Sequence, residues 1–408
     1  MAGPRNWVAL FLMGAINNLP YVIVNSASNT LADSFGQKNL VGLVFGANVA
    51  LSVFVKGLNT FFLLSVPFAV RYVVNGCLML LGLFGVAYAF NFGFALACVV
   101  VVGSTAAFGE NVSLGMLSRF PSHMINAWSS GTGMAGLLGG SIYVLFGCTV
   151  GNGQDKREKM HNLTKYAFLM TTSVVLIYWL AFFVVLRLPR EEPAVDVQDD
   201  HKHPSSSVND DTAPLLQDTL PDGSPEGSVI SGKESTWLRI KRCLRLTVYL
   251  ASNCTCLSTW LGVVLQRSGQ RRSITWDVRN CTPPFSSAIR LRPCVQAGVF
   301  VSRSSVQLVK IRRVEVMTGL QFINMILWVA DVQFKVIPVY LLPALMVCVG
   351  LLGGASYVNI FYMLLHDDRY PARDRELCIN ITAMYITLGI VIGTGVETAL
   401  FTTLLKND

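Results

Sequence analysis

Long apolar stretches without charge recur along this chain. Residues 72–109, for example, form a stretch of 38 positions with no Asp, Glu, Lys or Arg. About 20 apolar residues in a helix cross the ~30 Å core of a bilayer, so this stretch holds two spans with a turn at Asn91-Phe92-Gly93. The pattern predicts an all-α polytopic membrane protein. Spans are predicted near 7–29, 39–66, 70–90, 93–118, 127–149, 165–187, 294–309, 314–334, 336–364 and 377–404, and a less well defined one begins near 243.

A hydrophilic segment, 188–240, divides these roughly 11 helices into an N-terminal bundle (1–187) and a C-terminal bundle (241–408). It is rich in Pro, Ser, Gly and Asp, and residues 190–234 carry 11 acidic and 3 basic side chains. Such a composition is typical of a disordered linker. Six plus five spans around a linker favour a two-bundle secondary transporter with a site near the middle of the membrane.

The composition agrees with a membrane location. Hydrophobic residues make up 52% of the chain and charged residues 14%, with a mean hydropathy of +0.50. Soluble domains carry about 25% charged residues. The excess of Lys and Arg in short loops on the linker side predicts that this side is cytosolic. The loop 155–165 is basic as well, but its sequon at Asn162 predicts a luminal, glycosylated loop.

The glycine-rich stretch 126–147 admits two interpretations, a phosphate-binding loop or a closely packed helix. A phosphate-binding loop needs a lysine after its last glycine, and no lysine occurs between Lys56 and Lys156. Gly131, Gly136 and Gly140 instead form a ridge of small residues that lets a neighbouring helix approach. We therefore predict a packing helix and no nucleotide site. Neither a metal-ligand spacing nor a nucleophile constellation is present, so we expect no cofactor and no enzymatic activity.

Ionisable residues inside the predicted spans are the strongest functional signal. Each costs at least about 2.5–3.5 kcal/mol to insert and usually faces a cavity or a partner. Lys56 and Glu110 lie deepest, whereas Arg303, Asp331 and Glu397 have the alternative of snorkelling or capping helix ends. Two cations and one carboxylate suit a small anionic or zwitterionic solute, with Glu110 available as a proton carrier.

Buried amides and one tyrosine accompany these charges. Asn17, Asn18 and Tyr21 lie in mid-span, where Pro20 is expected to break the helix, and Asn359 lies in a later span. Amides in lipid need partners. Hydrogen bonds between helices are therefore the alternative to a role in a substrate cavity.

The linker contains an acidic dileucine pattern, with Asp211 four residues before Leu215-Leu216. An extended, exposed peptide that offers two apolar side chains near a negative charge is what sorting adaptor complexes bind. This pattern predicts delivery to lysosomes, with sorting adaptor complexes as partners. For the membrane-spanning chain as a whole, we expect membrane lipids as partners and no nucleic acid.

Several stretches resemble the battenin family of lysosomal membrane proteins. The matching pieces are "AINNLPYVI" (15–23), "FGENVSLGMLSRFP" (108–121), "WSSGTGMAGLLG" (128–139), "QAGVFVSRSS" (296–305) and "GLLGGASYVN" (350–359). The resemblance implies a divergent major-facilitator-like fold in late endosomes, lysosomes or vacuoles. It also implies a role in clearing glycerophosphodiesters, in lysosomal pH homeostasis and in basic amino acid balance.

The resemblance also implies a set of family-like positions in this chain, which are Asn17, Asn18, Lys56, Glu110, Ser129, Ser130, Gly131, Arg303 and Asn359. A glycerophosphodiester carries one phosphate charge, so we predict that Lys56 and Arg303 form a clamp for it.

One segment departs from this family. Residues 252–293 are rich in arginine where the family has an apolar span, so the segment is either the product of a mis-spliced or frame-shifted gene model or a genuine luminal insertion. A membrane scaffold or regulator that carries no substrate is therefore the rival prediction to a transporter.

Overall fold

A computed structural model describes residues 3–37, 40–149, 156–189, 236–267, 287–305, 310–311, 313–334, 337–338 and 341–403. Within these ranges the regular structure is helical. The helices are α1 (Pro4–Ser34), α2 (Val41–Val49), α3 (Ser52–Phe62), α4 (Phe68–Ala87), α5 (Phe92–Met116), α6 (Ile125–Thr149), α7 (Lys156–Leu180), α8 (Thr236–Arg267), α9 (Ser287–Ser304), α10 (Val314–Phe334), α11 (Leu342–His366) and α12 (Arg375–Thr403). A π turn, Ala181–Val185, continues α7.

The prediction of an all-α polytopic membrane protein is confirmed. Eight segments of the described chain are long and apolar enough to cross a membrane. The predicted span 314–334 coincides with α10. The span predicted at 39–66 corresponds to one candidate span, Val41–Phe62, whose helix is interrupted at Ala50-Leu51 between α2 and α3. Asn48, just before this break, donates hydrogen bonds to the Tyr21 carbonyl (3.2 Å) and to the Asn25 side chain (2.9 Å) of α1.

The expectation that Pro20 breaks the first helix is wrong, because α1 continues through it from Pro4 to Ser34. Proline removes one backbone hydrogen bond and crowds the preceding turn. In a membrane, packing against neighbouring helices compensates for this loss. Here Pro20 is buried, and α1 packs along α6 and α7.

The segment 155–165, predicted as a loop, is helical from Lys156 onward. Asn162 therefore lies within α7, where it is half-buried. The prediction from apolar stretches did not include these first turns of α7 because their residues are polar and basic.

Two helix pairs repeat along the chain at an interval of 250 residues. α5 and α11 each have 25 residues and are followed by the related turns "SRFPSHM" (118–124) and "DRYPARD" (368–374), which lead into α6 and α12. The packing repeats as well, since α1 lies on α6 as α8 lies on α12. α2 and α3 lie on α5 as α9 lies on α11. The chain thus folds as two related bundles, α1–α7 and α8–α12.

The two bundles meet where α6 packs on α9 and where α3 and α5 pack on α12. The hydrophobic core is continuous across this boundary. One cluster contains Tyr72 and Trp128 of the first bundle together with Phe361 and Leu377 of the second. We call the end of the molecule that flanks the linker the linker end; there the Arg5 guanidinium donates to the Val185 carbonyl (2.6 Å).

The crossing of α1 and α6 depends on glycine. A Cβ atom on Gly131 would overlap the Phe11 carbonyl, and one on Gly14 would lie 2.5 Å from the Trp128 carbonyl oxygen. Gly136 faces the Gln296 side chain of α9 with similar closeness. Gly140, in contrast, has open space at its Cβ position.

These contacts predict opposite effects for two glycine variants of α6. Gly131→Ala forces α1 and α6 apart, and overpacking of this kind typically costs about 1–3 kcal/mol. Gly140→Ala meets no atom and gains up to about 1 kcal/mol of helix propensity. Thermal unfolding of the purified full chain in detergent measures both. An equal melting temperature for the two variants would contradict the close crossing.

Candidate functional site

The deepest charged residues pair with each other. Lys56 on α3 places its Nζ atom 2.6 Å from Oε2 of Glu110 on α5. The Lys56 side chain is 2% exposed and the Glu110 side chain 21%. Lys56 also donates to the Ala383 carbonyl of α12 (3.3 Å). An ammonium this deeply buried requires such partners, so α3, α5 and α12 are held together by one cation.

A tyrosine of the second bundle completes the coordination of Glu110. The Tyr357 hydroxyl on α11 donates to Oε1 of Glu110 (2.7 Å). The Arg303 guanidinium on α9 lies over the Tyr357 ring, 4.1 Å from its centroid. Cations are attracted to the negative face of an aromatic ring. The Arg303 Nη1 atom donates to the Thr132 hydroxyl on α6 (2.5 Å).

These five residues form a continuous chain of contacts, which we call the polar junction: Lys56, Glu110, Tyr357, Arg303 and Thr132. Lys56, Glu110 and Thr132 belong to the first bundle, and the other two belong to the second. The junction therefore joins the bundles at three points, from Lys56 to the Ala383 carbonyl, from Glu110 to Tyr357 and from Thr132 to Arg303. A movement of one bundle against the other must break or exchange these contacts.

The structure thus brings Lys56, Glu110 and Arg303 into one network. The two cations are already partnered, so an anion that binds both must compete with the Glu110 carboxylate and with the Tyr357 ring. The polar junction carries a formal net charge of +1, because two cations face one carboxylate.

Two of the predicted amides, Asn17 and Asn359, are already hydrogen-bonded to other parts of the protein. The Asn17 side chain donates to the Ala106 carbonyl (2.9 Å), while its Oδ1 atom is buried without a partner among the described residues. Asn359 accepts from the Ile311 N–H (2.8 Å) and donates to the Ala355 carbonyl (2.8 Å). Asn18 is half-buried on α1, and the Tyr21 backbone carbonyl accepts from Asn48.

Ser129 and Ser130 lie on α6, within one turn of Thr132. Both are buried, and in the described part of the chain neither hydroxyl has a hydrogen-bond partner. An unsatisfied buried polar atom typically costs about 1–3 kcal/mol. These hydroxyls are therefore available to a polar solute beside the polar junction.

A second polar layer lies closer to the linker end, and the sequence did not predict it. We call this group the amide layer: Asn59, Asn111, Arg71, Glu376 and Asn380. The Asn59 side chain donates to the Asn111 Oδ1 atom (2.5 Å) and accepts from Arg71 (3.2 Å). Asn111 donates to the Asn380 carbonyl (3.2 Å), and Arg71 lies 3.5 Å from the Glu376 carboxylate. The bundles are thus closed against each other at this level.

Sequence reasoning missed these residues for identifiable reasons. Arg71 and Glu376 border charge-free stretches, where snorkelling is the usual explanation of a charge. Tyr357 follows a run of small and apolar residues, and Thr132 lies in a glycine-rich stretch, so both suggest packing. The available signal was spacing, because Asn59 follows Lys56 by one helical turn and Asn111 follows Glu110 directly.

The remaining candidates lie elsewhere. Asp331 accepts from the Ile337 N–H (2.7 Å) at the end of α10, which is a capping role. The Glu397 side chain and the linker residues Asp211, Leu215 and Leu216 lie outside the described residues. Among the residues that the structure describes, no group of three or more His, Cys, Asp or Glu could hold a metal ion.

Comparison with known proteins gives a consistent result. A profile of the CLN3 protein family matches residues 8–248 and 290–406. Battenin of Dictyostelium discoideum is 36% identical over 403 residues, covering 95% of this chain and 92% of that protein. Battenin of Canis lupus familiaris is 25% identical over 413 residues, covering 95% of this chain and 88% of that protein. Residues 249–289, which the family profile does not match, overlap the arginine-rich stretch 252–293.

Two solved structures show the same fold. A major facilitator superfamily proton:xylose symporter, XylE, superposes with a TM-score of 0.62 at 10% identity, covering 98% of this chain and 89% of that one. The fucose:proton symporter of E. coli, FucP, gives a TM-score of 0.55 at 12% identity, with 98% and 93% covered. The predicted major-facilitator-like architecture is therefore confirmed.

Proposed function

The chain belongs to the CLN3 protein family, which includes the battenins, and we propose that it transports small anionic or zwitterionic solutes across the late endosomal, lysosomal or vacuolar membrane. The proposed solutes are glycerophosphodiesters, and their export supports lysosomal pH homeostasis. The observation that carries this proposal is the polar junction, which places two cations and one carboxylate at the boundary of two bundles in a transporter fold.

The charge of the polar junction suits this class of solute. A phosphodiester carries one negative charge, and the junction has a formal net charge of +1. Its phosphate oxygens would replace the Glu110 carboxylate beside Lys56 and accept from Arg303, since charge-assisted hydrogen bonds to phosphate are among the strong ones. The Ser129 and Ser130 hydroxyls would bind the glycerol hydroxyls.

Glu110 is also suited to couple transport to protons. A proton on its carboxylate removes the charge that holds Lys56, while Tyr357 can still donate to the remaining oxygen. Lys56 is then available to the anion, so a proton and a solute bind together. Release toward the linker end then requires Arg71 and Glu376 of the amide layer to separate.

Uptake of radiolabelled glycerophosphocholine into proteoliposomes tests the proposal. Lys56→Gln and Arg303→Gln each remove a charged partner worth about 1.5–3 kcal/mol, so we expect uptake to fall at least about tenfold. Lys310→Gln is the control, because Lys310 is an exposed cation that lies 5.2 Å from the centroid of the Tyr362 ring, outside the polar junction.

Protection of each variant by the solute against thermal unfolding separates lost binding from lost folding. Normal uptake by Arg303→Gln would overturn the clamp. No uptake and no protection by the unaltered protein would instead favour the rival function, a scaffold or regulator of trafficking, acidification or basic amino acid balance.

The lysosomal location is proposed from the dileucine pattern. Replacing both Leu215 and Leu216 with Ala removes the two apolar side chains that an adaptor would bind. We expect the tagged protein to move to the plasma membrane, as measured by surface biotinylation. Replacing Leu220, a linker leucine outside the pattern, with Ala is the control. A location that does not change in the double variant would overturn the sorting signal.

A further inference from the structure

The first turns of α8 carry a basic groove at the linker end. The groove has a volume of about 410 Å³ and is lined by Leu238, Lys241, Arg242, Arg245 and Leu246. We call these residues the α8 groove. It lies outside the polar junction and the amide layer, and the proposed transport cycle does not use it.

The cations of the α8 groove lie close together on one helix face. Lys241 and Arg245 are four residues apart, and Arg242 and Arg245 are three apart, so their side chains are neighbours. All three are exposed. Lys241 and Arg245 make no ion pair or hydrogen bond with the residues that the structure describes. Like charges at this spacing destabilise a helix, and an anion in the groove would relieve their repulsion.

Asp374 fixes the position of the α8 groove relative to the membrane. Its carboxylate, which is 2% exposed, accepts from Arg239 and Arg242 of α8, both at 2.7 Å. Asp374 ends the turn between α11 and α12, where the chain re-enters an apolar span. The groove therefore lies at the level of the membrane surface. Four cations and one carboxylate give this cluster a net charge of +3.

The same face of α8 changes from charged to apolar within two turns. Beyond Arg245 its exposed large hydrophobic residues are Leu246, Val248 and Tyr249, and the exposed Ser252 follows them. On the other side of the cations, Trp237 and Leu238 are 65% and 59% exposed. Tryptophan is enriched at the level of lipid headgroups. This order of side chains fits a phosphorylated headgroup with its acyl chains beside the apolar turn.

We propose that the α8 groove binds the headgroup of a polyphosphorylated inositol lipid in the leaflet that faces the linker. Clustered Lys and Arg directly beside a span attract such lipids at about 1 kcal/mol for each cation. A headgroup with several phosphates can contact Lys241, Arg242 and Arg245 at the same time, whereas a single phosphodiester has only one charge to offer the three cations. Binding fixes the start of α8 against the membrane.

The test uses the purified full chain in detergent and a fluorescent dioctanoyl phosphatidylinositol bisphosphate. The variant Lys241→Gln/Arg245→Gln removes the two cations that make no ion pair or hydrogen bond within the described part of the chain. At about fivefold for each cation, we expect affinity to fall about 25-fold. The matched control is Lys310→Gln/Arg313→Gln, which removes two exposed cations in the segment before α10, outside the groove, and should bind like the parent. All four positions are exposed, and thermal unfolding verifies the fold of each protein.

Further arms identify what occupies the groove. Trp237→Ser should weaken binding of the lipid but not of inositol trisphosphate, the headgroup without acyl chains. An equal loss in both double variants would show unspecific charge attraction and overturn the site. Competition by inorganic phosphate as strong as that by inositol trisphosphate would show a simple anion site and overturn the lipid assignment. Binding that appears only after the linker acids are replaced by amides would mean that the chain itself fills the groove, which also overturns the proposal.

Discussion

The structure depends on the Glu110 carboxylate, which two bundles share. One oxygen accepts from Lys56 of its own bundle and the other from Tyr357 of the opposite bundle. A charge inside an apolar span is tolerated only with such partners. Because these partners come from both bundles, the contacts that compensate the Glu110 charge also hold the two bundles together. Loss of the Glu110 charge releases Lys56, which also donates to the Ala383 carbonyl of the opposite bundle, so a change in this charge alters the contacts between the bundles.

The internal repeat shows that this arrangement is asymmetric. The position 250 residues after Glu110 is Ile360, and the position 250 residues before Tyr357 is Ala107. Only the first bundle supplies the carboxylate and its lysine, whereas the second supplies the tyrosine and the arginine. The related turns after α5 and α11 preserve the architecture, and the chemistry has diverged between the halves. In the proposed transport cycle, such a division allows the contacts of the site to form and separate as the bundles move.

The sequence predicted the features that depend on local pattern. The span at 314–334, the two bundles and the position of Lys56 and Glu110 inside the spans follow from hydropathy and from the cost of charge in lipid. The identity of partners could not be predicted, because residues far apart in sequence, such as Glu110 and Tyr357 or Arg71 and Glu376, meet only after the bundles pack. Pro20 was misjudged for the same reason, since neighbouring helices stabilise α1 where its own hydrogen bonding is weakened.

The central claim is that the charge of Glu110 holds the two bundles together, so that removing this charge favours their separation at the linker end, where the amide layer closes them. Spin labels on p-acetylphenylalanine, introduced at the exposed positions 62 and 373, report the distance between the end of α3 and the turn before α12. We predict one short distance in the parent, a population at longer distances in Glu110→Gln, and no change in Glu315→Gln, which removes an exposed carboxylate of α10. Identical distance distributions in all three proteins would contradict the claim.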